Sequence, residues 1–434
     1  MSVERTSSLE ALGAPARQRV CWLHIGMHKT GSTSIQENLV KFRRPEGWRY
    51  LTVVDGANMG QALFKMFGTN AQEFHWFVKQ GKTASQLSAR GAKLREKFER
   101  NLARAPERDV IISAEALSLL DKPGVVALRD FLAPHFSVIK VVAYVRPPLG
   151  FMNSAFQQQL KHGKTAFRFA AARPKYRRRF EKFEEIFGRG NVILRKFNPA
   201  AFPNGCIVAD FCRMLGIQGP PPDQVRRVNE SLCREACGIL YAYRKYGPGF
   251  GVGRTVVREN NWIVAALAAM RGRKFLVARR RLRKAMDMDD VRWMEQRLGK
   301  PLKEPMKAGD QFVAKEAELL TISGASCAEF AARFQEIHRV RISSWRIPKG
   351  ETVDPRRVAA MLDYCRSIAR RRISAGESAG GGEGLKSSLK RFPPARMLIN
   401  WLDGKLGNST GGRGNSTMHR KFRKRRKSAA ASAR

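Results

Sequence analysis

The chain has 434 residues, 43% of them apolar, enough to bury a large core, and its 81 Lys and Arg against 37 Asp and Glu give a formal net charge of +44. Its longest apolar run, Trp262 to Met270, is far shorter than the roughly 20 residues needed to span a bilayer. The seven cysteines are scattered without a disulfide or zinc-ligand pattern, so a helical membrane protein, a disulfide scaffold and a zinc module are all argued against, and a cytoplasmic location without a bound metal is expected.

In chain order, residues 1–18 read as a flexible leader. Val20 to Ile25 is a short apolar strand, followed by a glycine-bounded loop and a helix through Ile35 to Phe42. A strand is expected at Arg49 to Val54, helical stretches through residues 60–104, a buried strand at Asp109 to Ser113 and a helix at Gly124 to Leu132. Val138 to Val145 is a continuous β-branched run that suits a strand buried on both faces, and Asn191 to Arg195 is another strand. Strands alternating with helices predict an α/β fold with a central parallel sheet flanked by helices, which binds ligands outside the carboxyl ends of its strands. From about residue 229 the pattern turns helical, with Asn229 as the cap of a helix to Tyr246. Further helical segments are Glu259 to Arg283, Val291 to Leu298, Ala314 to Thr321 and Pro355 to Arg372. The expected organisation is a ligand-binding domain over 19–250, a helical accessory region over 251–373, and a flexible linker with a disordered basic tail over 374–434.

Between Trp22 and Leu39 the chain reads WLHIGMHKTGSTSIQENL. A strand, a tight turn and a helix start gather backbone N–H groups and the positive end of the helix dipole around one point, which favours a phosphate or sulfate. Gly26 and Gly31 permit close backbone approach, Lys29 brings a mobile charge, and Ser32, Thr33 and Ser34 add hydroxyl donors. The nucleoside-triphosphate loop G-x-x-x-x-G-K-[ST] places its lysine after the second glycine, whereas Lys29 precedes Gly31 by two residues. A second candidate anion site follows the Val138 to Val145 strand. Arg146 ends that strand, Pro147 and Pro148 lead into a helix, and Ser154 comes eight residues after the arginine. A guanidinium binds a phosphate in bidentate fashion, and a hydroxyl in the first helical turn can share the same oxygen.

The loop residues His28, Lys29, Thr30, Gly31, Ser32 and Thr33 stand in the order of the 5′-phosphosulfate loop, and Arg146 with Ser154 resembles the 3′-phosphate site, of P-loop sulfotransferases. The resemblance covers about residues 20 to 250 and looks closest to the bacterial and Golgi-type carbohydrate branch. It implies 3′-phosphoadenosine 5′-phosphosulfate (PAPS) as donor, held by residues 28–34 with Arg146 and Ser154, and a carbohydrate, glycolipid or polysaccharide hydroxyl as acceptor. The R-K-G-x-x-G motif of the cytosolic small-molecule branch is absent, because the sequence at Arg271 is Arg-Gly-Arg-Lys.

Within that resemblance, Lys29 is the expected electrostatic catalyst and Glu115, just after the DVIIS strand, the expected general base. His24, His28 and His162 remain alternatives for the base, and Glu37 is placed to neutralise Lys29. No carboxylate occurs from Phe131 to Phe180, where Arg146, Lys161, Lys164, Arg168, Arg173, Lys175 and Arg177 to Arg179 form a basic field able to steer an anionic donor. Residues 391–434 carry twelve Lys and Arg against Asp403 alone, a tail suited to peripheral contact with the inner face of an anionic membrane or with nucleic acid. Two other readings fit parts of the chain. A P-loop kinase would need a lysine where Ser32 stands, and a non-enzymatic anionic-polymer or membrane binder would explain the tail but not the paired anion sites.

Overall fold

Five parallel strands form one sheet: β1 (Val20–Gly26), β2 (Trp48–Tyr50), β3 (Asp109–Ser113), β4 (Val138–Val145) and β5 (Val192–Lys196), in the order β2-β3-β1-β4-β5. The structure is a computed structural model that describes residues 18–42, 47–104, 108–226, 231–304 and 311–375. The leader to residue 17, the Asn229 cap and the basic tail beyond residue 375 lie outside the described residues.

The helices between the strands are α1 (Ser32–Leu39), α2 (Gly60–Phe67), α3 (His75–Lys79), α4 (Ala84–Ala103), α5 (Lys122–Leu132), α6 (Pro148–Lys161) and α7 (Tyr176–Phe187). Beyond β5 come α8 (Ile207–Leu215), α9 (Arg234–Tyr246), α10 (Arg254–Ala269), α11 (Arg279–Ala285) and α12 (Met288–Leu298), then α13 (Glu316–Leu320), α14 (Gly324–His338) and α15 (Pro355–Ser374).

The alternation of strand side chains builds two cores. Ile111, Val142 and Tyr144 face α1 and α8, packing on Ile35, Leu39, Phe211 and Leu215. Their strand neighbours Val110, Ile112, Val141, Ala143 and Val145 face the other way, onto Leu63 of α2, Phe98 of α4, Leu128 of α5 and Phe180 of α7. A third, helical core joins Met152, Phe156 and Leu160 of α6 to Leu240, Trp262, Phe334 and Leu362. This core takes in α6 and α9, both of which lie before residue 250.

Several boundaries differ from the expected ones. Helix α1 starts three residues early because Gly31, at φ 76°, turns the chain directly into it. Strand β2 stops at Tyr50, where the Thr52 hydroxyl bonds the carbonyls of Val54 and Gly56 and curls the chain locally. The 60–104 stretch divides at Gly68 and Gly81, and α4 opens on a reciprocal Thr83–Gln86 capping box. The segment from Glu259 to Arg283 breaks after Ala269, and the chain there pairs Lys274 with Cys233 and Val277 with Val313.

Candidate functional site

β1 and β4 are neighbours, yet the chain leaves β1 toward β2 at one edge and leaves β4 toward β5 at the other. Such a divergence opens a crevice at the carboxyl ends of the two strands, the usual ligand position in an open α/β sheet. The loop after β1 and the residues after β4 meet there. Met27 N donates to Tyr144 O at 3.1 Å, and the Arg146 guanidinium donates through Nη1 to Lys29 O at 2.6 Å. Tyr176 donates from its hydroxyl to Arg146 O at 2.6 Å, which fixes the backbone from which the guanidinium extends.

Local sterics explain the loop. Gly26 has φ 104° and its α-carbon faces the Glu115 backbone, so a Cβ there would lie 3.1 Å from both Glu115 Cα and O. Lys29 also has a left-handed backbone, at φ 67°. The Thr30 hydroxyl donates to Met27 O at 2.6 Å and that of Ser32 to the same carbonyl at 3.4 Å, tightening the turn from within. Ser32, Thr33 and Ser34 form the first turn of α1, whose N–H groups point toward the loop. Thus the structure brings His28, Lys29, the 30–34 segment, Glu115 and Arg146 to one end of the sheet.

The other candidates separate. The His24 ring is fully buried, with Nδ1 2.7 Å from the Ser113 hydroxyl, itself bonded by Gln36 Nε2 at 3.1 Å. Burial pulls the imidazole down to about 4, and a sealed ring cannot reach an acceptor hydroxyl. His162 closes the far end of α6, a helix of 14 residues and so about 20 Å from Arg146, and packs edge-on against Trp76. Glu37 forms an ion pair with Lys41, just past the end of α1, at 2.5 Å. Ser154 is the seventh residue of α6, in the second turn instead of the expected first, one turn beyond Gly150 on the same helix face.

The expected basic field is also partly internal. Arg179 is buried, donating to Pro174 O at 2.6 Å and to the Ser118 hydroxyl at 3.0 Å, with burial drawing its guanidinium down to about 10. Arg173 is bonded to the Ala285 carbonyl, and Lys164 reaches Gln159 Oε1 at 2.7 Å.

One residue at this end of the sheet, Glu304, is not among those expected from sequence. Glu304 comes in from the chain after α12 and lays its carboxylate on the first turn of α6, where Gly150 N donates to Oε2 at 2.8 Å and to Oε1 at 3.1 Å. Burial raises the Glu304 carboxyl, opposed by the Gly150 N–H and by the charges of Arg146, Arg279 and Lys274. Burial likewise lowers Arg146, with the Glu304 charge opposing it. This end of α6, with Arg146 beside it, therefore accommodates an anionic oxygen pair, as a phosphate-binding arm must. Its only visible sequence signal is an isolated acid in the basic run Lys300 to Lys307.

No family model matches the chain. An uncharacterized protein of Archaeoglobus fulgidus is 26% identical over 113 residues, which are 26% of this chain and 31% of the relative, so the chain spans under a third of that protein's length. Among solved structures, the crystal structure of sulfotransferase from Alicyclobacillus acidocaldarius aligns with 53% of this chain and 93% of its own, at 15% identity and a TM-score of 0.31. A likeness of that size bears on neither the activity nor the ligands. Among the described residues no three His, Cys, Asp or Glu side chains gather as a metal group, and no helix is long and apolar enough to cross a membrane.

Proposed function

We propose that the protein is a sulfotransferase that uses PAPS and acts on a hydroxyl of a carbohydrate, glycolipid or polysaccharide. The observation that carries this reading is the 2.6 Å bond from Arg146 to Lys29 O, because it joins two candidate anion-binding elements, remote in sequence, at one end of the sheet. The Glu304 carboxylate on Gly150 N–H supports the fit of an anion to the Arg146 side, and the Lys29 loop has the donor set for the other end. PAPS would supply an activated sulfuryl group. Lys29 and residues 28–34 would hold its phosphosulfate end and relieve the charge that develops on the leaving oxygen. Arg146 and Ser154 would orient the 3′-phosphate, and Glu115, whose backbone abuts Gly26, would take the acceptor proton. The carbohydrate acceptor rests on the sequence resemblance.

Thermal unfolding with 3′,5′-adenosine bisphosphate, and separately with ATP and Mg²⁺, tests the donor. A ligand at a hundred times its Kd stabilises by about 2.7 kcal/mol, so the bisphosphate should raise Tm clearly and ATP-Mg²⁺ hardly at all. Preferential stabilisation by ATP-Mg²⁺ would overturn the assignment.

A further inference from the structure

The Glu304 carboxylate occupies the end of α6 that the proposed donor needs for its second phosphate. A Cβ built on Gly150 would stand 2.2 Å from Glu304 Oε1 and 3.3 Å from Arg146 Nε, so carboxylate and guanidinium share one small space over that residue. The segment that leads to Glu304 is anchored up to and including the Glu304 carbonyl. Leu302 is buried and its N–H donates to Glu295 Oε1 at 2.6 Å, Lys196 Nζ donates to Pro301 O at 2.7 Å, and Arg279 donates to Glu304 O at 3.1 Å.

We propose that Glu304 is an internal anion that competes with the 3′-phosphate of the donor and so sets the affinity of this site for bisphosphorylated nucleotides. The inference rests on the sulfotransferase reading. A phosphate cannot take the Gly150 N–H while the carboxylate holds it, and two anions facing Arg146 repel each other. Binding therefore requires the Glu304 side chain to withdraw, and the apparent Kd is the intrinsic Kd divided by the fraction of molecules in which it has withdrawn. Asp290 makes a formally similar contact at the start of α7, where its oxygens accept from the N–H groups of Tyr176 and Arg177 at 2.7 and 2.8 Å. It reaches over from α12 to cap α7 and not the helix that follows Arg146, which makes it a control for a purely structural cap.

The test is calorimetric titration of the full-length wild type, Glu304→Gln, Glu304→Ala and Asp290→Asn with 3′,5′-adenosine bisphosphate and with adenosine 5′-monophosphate. Both Glu304 variants should bind the bisphosphate at least about tenfold more tightly than wild type, leave monophosphate affinity within about twofold, and differ in this from Asp290→Asn. Bisphosphate affinity that is unchanged or weaker in folded Glu304 variants assigns the residue a capping role only and overturns the inference while leaving the donor assignment intact. Absence of any preference for bisphosphate over monophosphate in all four proteins overturns the sulfotransferase reading, and the inference with it. If glutamine and alanine both prevent folding, Glu304→Asp serves as the readout: withdrawing the charge by one methylene should still tighten bisphosphate binding, and failure to do so is refuting.

Discussion

Two buried histidines should make the protein lose stability steeply on mild acidification. His24 lies in the sheet core with Nδ1 bonded to Ser113 and Nε2 without a hydrogen-bond partner. His338 lies in the helical core, with Nε2 2.9 Å from Trp262 O, Nδ1 without a partner, and its ring stacked at 4.1 Å on Trp262. Burial lowers each to about 4 from 6.5, because the charged ring is desolvated, and the backbone of Gly26 beside His24 and of Trp262 beside His338 opposes this only in part. The unfolded chain takes up these protons at about 6.5 and the native chain only at about 4. The stability these two rings contribute is therefore fully present above pH 6.5, falls as the pH drops between the two values, and changes no further below about 4. At 1.36 kcal/mol per pKa unit the shift corresponds to about 3 kcal/mol for each histidine, a large share of the roughly 5–15 kcal/mol stability of a folded domain. Urea unfolding from pH 4 to 7.5, followed by tryptophan fluorescence, measures the slope. His338→Gln should remove close to one proton from the linkage, and His24→Gln another, because the two rings belong to different cores. A wild-type curve that is flat between pH 4.5 and 6.5, or a His338→Gln curve parallel to a steep wild-type curve, would refute the reasoning.

If Lys29 supplies the charge relief proposed, Lys29→Ala lowers turnover at least ~10²-fold in a labelled-sulfate transfer assay, with a smaller change in bisphosphate affinity. Glu115→Gln should lower turnover by about 10² while leaving calorimetric bisphosphate binding unchanged; equal losses in both would make Glu115 a structural residue. Gly91→Ala tests the packing of α4 on α2. Its Cβ would lie 2.2 Å from Lys65 O, a backbone atom that cannot swing aside, so the alanine helix gain of up to about 1 kcal/mol should be outweighed and urea unfolding should show a net loss of about 2 kcal/mol.

The strands were legible where the physics is local. The runs Asp109–Ser113 and Val138–Val145 are apolar on both faces because helices cover both, and their boundaries match those expected. Helix α14 was not anticipated, since GASCAEFAARFQEIH opens on small residues that make a weak apolar stripe and is held by burial of Phe330, Phe334 and Ile337 against other helices. Helix α8 escaped for a related reason. Its inner face carries Asp210, which accepts from Tyr144 at 2.7 Å and Arg195 at 2.6 Å, a polar satisfaction arranged between distant elements.

The candidate site divides along the same line. The Lys29 loop is one continuous segment whose glycine positions, hydroxyls and helix start are all written within a dozen residues, so its form follows from sequence. The Arg146 side is assembled from three distant pieces: the end of β4, Tyr176 at the start of α7, and Glu304, 154 residues beyond Gly150. Single-sequence patterns carry no signal for that convergence. A glutamate in a basic run reads as a solvated counter-charge, and only the fold reveals that it lies on a helix start beside a part-buried arginine. Charge counting would have made this end of α6 a simple attractor for anions. With Glu304 in place it already holds one, so on the proposed reading the affinity of this end for a nucleotide would depend on an exchange of one anion for another and not on the sum of the positive charges around it.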